Sequence, residues 1–174
     1  MKTLVIHPKD STTDFLCQIY EGRGWTVITE PKTPKSQLKE AIKAHDRIVM
    51  LGHGCGEGLL TKVPFRIMVG SDLVYLLREK TCVGIWCMAD EFFNRYELKG
   101  FYTGMIISEM DEALMYSIHQ ATPAEVNESN TLFTNAITNS IMSESMLTEA
   151  KAAYHSDTNP IILFNQDNLY ERIN

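Results

Sequence analysis

The sequence Arg47-Ile-Val-Met-Leu-Gly-His53 contains a short apolar run that ends at a histidine, and Thr81-Cys-Val-Gly-Ile-Trp-Cys87 contains a second run that ends at a cysteine. Short apolar runs bounded by turn residues predict buried strands. The segment between them is long enough for a crossover helix, so we expect the strands to be parallel neighbours. Adjacent strands lie about 4.8 Å apart. Their carboxyl ends would therefore bring the His53 imidazole beside the Cys87 thiol, which is the pairing that produces a thiolate nucleophile near neutral pH.

The composition of the chain is that of an ordinary globular protein. It has 174 residues, of which 44% are hydrophobic and 22% are charged, and this length favours a single domain over residues 1–174. The formal net charge is -6. Because there is no basic stripe, we expect neither nucleic acid nor an anionic membrane as a partner. No apolar run approaches the roughly 18 residues that a membrane span needs, and Met1-Lys-Thr-Leu-Val-Ile-His-Pro8 resembles a first strand more than a signal peptide.

Four cysteines occur without a regular disulfide spacing: Cys17, Cys55, Cys82 and Cys87. In a chain without a secretion signal, this pattern predicts reduced thiols and a cytoplasmic location. Cys17 and Cys82 are interpreted as small hydrophobic core residues, because a lone buried cysteine usually has that role. Cys55 is interpreted as a bystander near the site formed by His53 and Cys87.

Predicted strands and helices alternate along the chain. Strands are predicted at residues 3–7, 25–29, 47–51, 81–86 and 101–108, with a sixth strand or edge element at Ile161-Ile-Leu-Phe164. Helices are predicted at residues 14–21, 36–45, 72–79, 90–96 and 111–119, with two more within residues 123–156. Residues 58–69 are expected to form a small hairpin or an irregular excursion, because Pro64 argues against a central strand. The alternation predicts an α/β fold, a three-layer sandwich with a mostly parallel six-stranded sheet.

Ligands of such sheets bind beyond the carboxyl ends of the strands, where the strand order reverses. If that point lies between the first and third strands, three segments converge there: residues 8–13, 52–59 and 87–91. In this arrangement His53 would withdraw a proton from Cys87 or from a leaving group. The backbone N–H groups of Gly54 and Cys87 would form an oxyanion hole. The thiolate would attack a substrate carbonyl carbon and give a covalent acyl-enzyme that water resolves.

These motifs resemble those of the caspase-like cysteine peptidases of clan CD, which include caspases, clostripain and the bacterial CHAT-type relatives. The residues that carry the resemblance are Leu51-Gly-His-Gly54, Gly58-Leu-Leu60 and Gly84-Ile-Trp-Cys87. The resemblance implies that His53 and Cys87 are a catalytic dyad and that Gly54 supplies an oxyanion donor. It also implies a caspase-like sandwich with strand order 2-1-3-4-5-6 and a cysteine endopeptidase activity, closest in pattern to small CHAT-type or clostripain-like relatives.

The resemblance further implies a first specificity pocket between the loop after strand one and the segment after strand five. Trp86 stands where caspases have a small residue, and it would flank this pocket. The other residues expected to contact substrate are Asp10, Ser108, Glu109 and Asp111. The acidic residues would suit a basic substrate side chain, whereas Lys9 would suit an acidic one. We expect cleavage after Arg or Lys, with Asp10 as the main anchor.

Two functions of other classes fit the same residues. One is a catalytically degenerate caspase-like domain that serves as a binding or regulatory module. The other is a flavodoxin-like domain that binds a nucleotide or small ligand, with Gly52-His-Gly-Cys-Gly56 as a glycine loop around a phosphate. A zinc set of His53, Cys55, Cys82 and Cys87 fits no common ligand spacing. We therefore expect no metal and no cofactor, and a peptide or protein substrate as the partner.

Overall fold

The computed structural model describes residues 1–8 and 10–173, which contain nine strands and seven α-helices. The strands are β1 (Thr3–Ile6), β2 (Thr26–Ile28), β3 (Arg47–Leu51), β4 (Gly54–Cys55), β5 (Gly58–Thr61), β6 (Arg66–Val69), β7 (Thr81–Ile85), β8 (Lys99–Thr103) and β9 (Leu169–Arg172). The helices are α1 (Lys35–Lys43), α2 (Val74–Leu77), α3 (Ala89–Tyr96), α4 (Met110–Met115), α5 (Pro123–Ser140), α6 (Met146–Ala153) and α7 (Pro160–Asp167). Two short 3-10 helices cover Asp14–Ile19 and Ser71–Leu73.

Six strands form the central sheet, in the order β2-β1-β3-β7-β8-β9. The strands from β2 to β8 run parallel, and β9 pairs antiparallel with β8. The predicted α/β fold with a mostly parallel six-stranded sheet is therefore confirmed. The predicted order 2-1-3-4-5-6 counted six strands in all. The observed order has different strand numbers, because three further strands, β4, β5 and β6, lie along the chain between the third and fourth strands of this sheet and form a separate sheet.

A second, three-stranded antiparallel sheet of β4, β5 and β6 follows the end of β3. The sequence predicts no more than a hairpin or an irregular excursion here, because the two residues of β4 have no strand pattern of their own. They form a strand because Gly54 pairs with Leu59 and Cys55 pairs with Gly58. Pro64 lies in the turn between β5 and β6, outside both strands.

The prediction of a strand at residues 161–164 is wrong, because these residues lie in α7. Asn159 accepts hydrogen bonds from two backbone N–H groups of the first turn, and Pro160 is the first helical residue. An asparagine N-cap followed by proline is a typical helix start, and here it outweighs the β-branched pair that follows. The sixth strand of the sheet is β9, in which Leu169 alone is buried. No strand pattern is visible in so short and polar an edge strand.

Two hydrophobic clusters cover the two faces of the central sheet. In β3, Val49 and Leu51 belong to the cluster that includes α5 and α6, whereas Ile48 and Met50 belong to the cluster that includes α1, α2 and α3. The sheet is thus the middle of three layers, and its central strands are buried on both faces. No helix in the described part of the chain is long and apolar enough to cross a membrane.

Candidate active site

The carboxyl ends of β3 and β7 bring His53 and Cys87 to the same edge of the central sheet. The register pairs Leu51 with Ile85, and the Gly52 N–H donates to the Ile85 carbonyl over 3.0 Å. The strand pairing ends there, and His53 and Cys87 each follow two residues later, at the same edge of the sheet. Gly52 has a φ of 133°, a conformation that favours glycine, so the main chain can turn there and carry His53 over the edge of the sheet.

His53 and Cys87 line the same cavity, which has a volume of about 30 Å³. That volume holds roughly one or two water molecules and no amino-acid side chain. The apolar side chains of its walls are Phe15, Leu16, Ile85, Ile106, Phe133 and Trp86, which the sequence predicts to flank the substrate pocket. The polar groups are fewer, and they include Ser108 and Glu112. A substrate group that enters this cavity must therefore widen it.

The Cys87 thiol is a hydrogen-bond donor in this structure. Its S–H donates to the Ile106 carbonyl, with an Sγ–O distance of 3.6 Å. Burial, and to a lesser extent the nearby Glu112 carboxylate, raises the pKa of this thiol to about 11. Among the hydrogen bonds of residues 1–8 and 10–173, none joins Cys87 to His53. The site thus holds a protonated thiol and not a thiolate–imidazolium pair.

The residue after this cysteine has an unusual backbone conformation. Met88 has a φ of 67° and is the N-cap of α3. A residue other than glycine in the left-handed region costs about 1–2 kcal/mol. Such strained residues cluster at functional sites. Here the strain turns the chain sharply from β7 into α3, with Cys87 at the corner.

His53 is held by the loop after β1. Its Nε2 lies 2.8 Å from Oγ1 of Thr12 and 3.2 Å from Oδ2 of Asp10. The backbone N–H and the hydroxyl of Thr12 both donate to Oδ1 of Asp10, over 2.9 and 2.6 Å. Lys62, in the turn after β5, donates to Thr12 Oγ1 over 3.1 Å and lies 3.6 Å from Asp10 Oδ1. The structure therefore places Asp10, the predicted anchor of a basic substrate residue, against the candidate base.

The carboxylate of Asp10 is ionised at neutral pH. Burial raises its pKa, but hydrogen bonds from Thr12 and the charges of His53 and Lys62 outweigh burial, so the pKa lies below its ordinary value. A carboxylate whose pKa is lowered by folding stabilises the fold at neutral pH, and its contribution is lost as the pH falls through the lowered value. Asp10 therefore stays charged, and keeps these contacts, throughout the pH range in which a histidine acts as a base.

Trp86 and Gly54 pack against each other beside His53 and Cys87. The Trp86 side chain is 2% exposed and contacts Phe92 and Phe93, and its Nε1–H donates to the Cys55 carbonyl over 3.1 Å. A Cβ on residue 54 would overlap the indole ring. The packing of Trp86 therefore requires glycine at this position, independently of the predicted oxyanion role of the Gly54 N–H.

The segment after β8 supplies the remaining predicted pocket residues. β8 ends at Thr103 instead of Ser108. Ser108 lines the cavity, whereas Glu109 is the N-cap of α4 and Asp111 is exposed in its first turn. The carboxylate of this segment that lines the cavity is Glu112. Its Oε2 accepts hydrogen bonds from the N–H and hydroxyl of Ser108 and from the N–H of Glu109, and its Oε1 accepts none from a described residue.

Three residues of this site are absent from the sequence prediction: Thr12, Lys62 and Glu112. Glu112 had a visible signal, because it stands three residues after Glu109, which is the spacing of a capping box. That capping box places the N-cap of α4 at Glu109, two residues before the start of the helix predicted at residues 111–119. Thr12 and Lys62 had no such signal, since a loop and a turn far apart in sequence come together in space.

The structure also bears on the two other sites considered for these residues, a phosphate-binding glycine loop and a zinc site. The glycine segment 52–56 contains β4 and is followed by β5 and not by a helix, so no helix N-terminus follows it to bind a phosphate. Within residues 1–8 and 10–173, no group of three or more His, Cys, Asp or Glu side chains is arranged to hold a metal ion. The predicted contact of Lys9 with substrate lies outside the described residues.

No protein-family model matches this chain, and no curated protein matches it in sequence. The fold by itself does not specify a reaction, because one fold commonly carries many unrelated chemistries. A function for this chain must therefore be inferred from the side chains at the carboxyl ends of β3 and β7.

Proposed function

We propose that this protein is a caspase-like cysteine endopeptidase, with Cys87 as the nucleophile and His53 as the general base. The observation that carries the proposal is that the two residues follow adjacent parallel strands and line one cavity. A thiol and an imidazole in one cleft are the minimum set for covalent acyl transfer. The left-handed conformation of Met88 supports the proposal, because strain persists where function requires a particular geometry.

In the proposed reaction, the Cys87 proton passes to His53 while the sulfur attacks the scissile carbonyl carbon. The backbone N–H groups of Gly54 and Cys87 bind the oxyanion that forms. The Met88 N–H does not take part, because it donates to the Gly104 carbonyl over 3.2 Å. His53 then gives its proton to the leaving amine, and a water molecule that His53 activates hydrolyses the thioester.

The raised pKa of Cys87 determines when its proton moves. A thiol with a pKa of about 11 is almost fully protonated at neutral pH, so a resting thiolate does not supply the nucleophile. The proton is transferred during attack, once substrate has displaced water and brought His53 next to the sulfur. Cys87 also precedes the N-terminus of α3, whose dipole stabilises negative charge as it develops on the sulfur.

The substrate residue before the scissile bond is Arg or Lys in this proposal, with Glu112 as its partner. Glu112 lines the cavity beside Cys87, and its Oε1 accepts no hydrogen bond from a described residue. A charge pair in a partly desolvated pocket can discriminate between substrates by a few kcal/mol. The cavity measures about 30 Å³ and is partly open to solvent, so its walls widen when the substrate side chain enters.

Labelling with a panel of peptide acyloxymethyl ketones tests the dyad. We expect mass spectrometry to identify Cys87 as the modified residue, and His53→Ala to slow its labelling by about 100-fold or more. Cys55→Ala is the matched control, because Cys55 is the other half-buried thiol among the described residues, and it should leave the labelling of Cys87 unchanged. Preferred modification of Cys55, or an undiminished rate in His53→Ala, would overturn the dyad.

A positional peptide library cleaved by wild type and by Glu112→Gln tests the specificity. Glutamine keeps an oxygen for the N–H groups at the start of α4 and removes the charge. We expect the preference for Arg and Lys to fall by about 10-fold to 100-fold in kcat/KM. Asp111→Asn, exposed on the same helix, should leave it unchanged. A basic preference that survives in Glu112→Gln, or a wild-type preference for Asp, contradicts the assignment.

A catalytically inactive binding module of the same fold is a second candidate. It is favoured by the protonated state of Cys87 and by the missing hydrogen bond between Cys87 and His53 among the described residues. If no ketone of the panel labels Cys87 in wild type, this second candidate replaces the peptidase.

A further inference from the structure

The hydroxyl of Thr12 lies at the centre of the contacts around His53. A hydroxyl group donates one hydrogen bond and can accept two. Its proton goes to Asp10 Oδ1, 2.6 Å away, because an ionised carboxylate cannot donate. Its acceptor positions face His53 Nε2, at 2.8 Å, and the Lys62 ammonium, at 3.1 Å. The hydroxyl is therefore saturated, and the role of each partner is determined.

These contacts assign the hydrogen on the His53 ring. Thr12 has no proton left to offer Nε2, so Nε2 must carry the proton and donate it to Oγ1 of Thr12. Asp10 Oδ2 lies 3.2 Å from Nε2 and has no hydrogen-bond partner among the described residues. Its charge favours a proton on that nitrogen. A neutral imidazole carries one ring proton, so the free lone pair is on Nδ1.

Lys62 opposes the alternative arrangement of protons. If the Thr12 proton turned towards His53, Oγ1 of Thr12 and Oδ1 of Asp10 would lie 2.6 Å apart with no proton between them, and the two oxygens would repel each other. An ammonium group can only donate, so Lys62 occupies an acceptor position of Thr12 in every arrangement. Lys62 follows β5, so the second sheet supports the histidine of the central sheet through this contact.

We propose that Asp10, Thr12 and Lys62 are positioning residues that hold His53 as its Nε2–H tautomer and leave Nδ1 as the base for the Cys87 proton. The catalytic consequence rests on the proposed peptidase function, whereas the tautomer itself does not. Asp10 acts in this proposal through His53 and touches no reacting atom, so its substitution affects the base and not the binding of substrate.

Long-range proton–nitrogen NMR on protein labelled with ¹⁵N-histidine measures the tautomer, at a pH about two units above the ordinary histidine pKa. The chain has 5 histidines, and His53→Gln identifies the signals of His53. We expect a protonated Nε2 and a bare Nδ1 in wild type and in Thr12→Ser, which keeps the hydroxyl. Asp10→Asn keeps an oxygen for the Thr12 hydroxyl but replaces Oδ2, 3.2 Å from Nε2, by an NH2 donor. Two donors would then face each other if Nε2 kept its proton, so the Nδ1–H form should gain. Asp14→Asn, exposed in the next turn, should leave the wild-type spectrum unchanged.

The rate at which an acyloxymethyl ketone labels Cys87 measures the consequence. We expect Asp10→Asn to slow labelling by about 10-fold or more, because the wrong tautomer removes the base. Added to His53→Ala, the same substitution should slow labelling no further. If Asp10 bound the substrate instead, Asp10→Asn would slow labelling by the same factor in both backgrounds.

The two measurements separate a failure of this inference from a failure of the proposed function. A wild-type His53 in the Nδ1–H form, or an additive effect of Asp10→Asn in the His53→Ala background, overturns the positioning role. A His53→Ala variant that is labelled as fast as wild type overturns the proposed function, and the NMR result then decides the positioning role by itself.

Discussion

Gly54 is covered by the indole of Trp86, so the main chain beside His53 has no room for a side chain there. The ring cannot move aside freely, because it is 2% exposed and packs against Phe92 and Phe93. We therefore expect Gly54→Ala to lower the free energy of unfolding by about 2–3 kcal/mol, a typical cost of overpacking a core. Urea denaturation followed by circular dichroism measures the change.

Gly56→Ala is the matched control for this prediction. A Cβ at residue 56 meets the carboxylate end of Glu91, a flexible side chain that can shift, so we expect a loss below about 1 kcal/mol. In Gly54→Ala/Trp86→Leu, the two losses should not add, because the smaller side chain removes the overlap. Equal losses at residues 54 and 56, or full additivity in the double variant, would show that the indole is not the obstacle.

His53 and Cys87 could be predicted as neighbours from the sequence, because the carboxyl ends of parallel strands meet at one edge of a sheet. That rule needs no side-chain geometry. The role of Asp10 could not be predicted in the same way. Whether a loop carboxylate contacts a substrate or a histidine depends on a few backbone torsions of the loop after β1, and no periodic pattern encodes them.

At the scale of elements, α7 holds the segment that follows β8. Asn165 Oδ1 accepts from the Ile107 N–H over 2.7 Å, and its Nδ2 donates to the Ile107 carbonyl over 2.8 Å. Ile107 is fully buried, and each buried backbone group left unpaired costs about 1–3 kcal/mol. We therefore expect Asn165→Ala to lower the free energy of unfolding by about 3 kcal/mol.

The control for this element is Asn127→Ala, exposed on α5, which should change stability by less than about 0.5 kcal/mol. Urea denaturation of both variants gives the comparison. The labelling rate of Cys87 should also change in Asn165→Ala, because the neighbouring Ile106 carbonyl accepts the Cys87 S–H. A loss of stability no greater than that of Asn127→Ala would show that α7 does not anchor this segment.

The elements that could be predicted well are the ones buried on both faces. β3 covers Arg47–Leu51 as predicted, because a short apolar run between turn residues has few alternatives. The segment at residues 161–164, predicted as a strand, had a helical alternative, since Asn159 and Pro160 form a helix start that a count of β-branched residues ignores. The two-residue β4 exists through its pairing with β5, which the local sequence does not encode.

At the scale of the whole molecule, buried thiol and phenol groups make the free energy of unfolding depend on pH in the alkaline range. Burial is the main cause that raises the pKa of Cys87 to about 11 and those of Cys82 and Tyr154 to about 12. A group whose pKa is raised by folding stabilises the fold below its unfolded value, and this contribution is lost as the pH rises through the folded value. We therefore expect the free energy of unfolding to fall from about pH 9 upwards, the ordinary thiol pKa being 9.0.

Urea denaturation at a series of pH values tests this dependence. Cys82→Ala removes one of the titrating groups, so the free energy of unfolding should fall less steeply with pH than in wild type. Each unit by which folding raises the pKa of Cys82 accounts for up to about 1.4 kcal/mol of the difference. A stability that stays constant above about pH 9, or an unchanged slope in Cys82→Ala, would contradict the buried, protonated state of these groups.

The three layers follow from the alternation of strands and helices along the chain, because each apolar strand face requires cover. The second sheet does not follow from it. Residues 54–69 alternate poorly and include Pro64, so their pairing depends on tertiary contacts. Lys62, which the turn after β5 brings to the site, was for the same reason not predicted.

The contact of Lys62 with Thr12 makes the chemistry of the site depend on an exposed loop. Lys62 begins the turn in which Val63 and Phe65 are 81% and 79% exposed, and exposed turns are where proteases cut folded proteins. Limited digestion with trypsin, which cuts after lysine, should release Lys62 from Thr12, and histidine NMR would show a changed His53 or refute the link. The cut falls between β5 and β6, so β3 and β7, which carry His53 and Cys87 at their ends, would remain intact while the support of His53 changes.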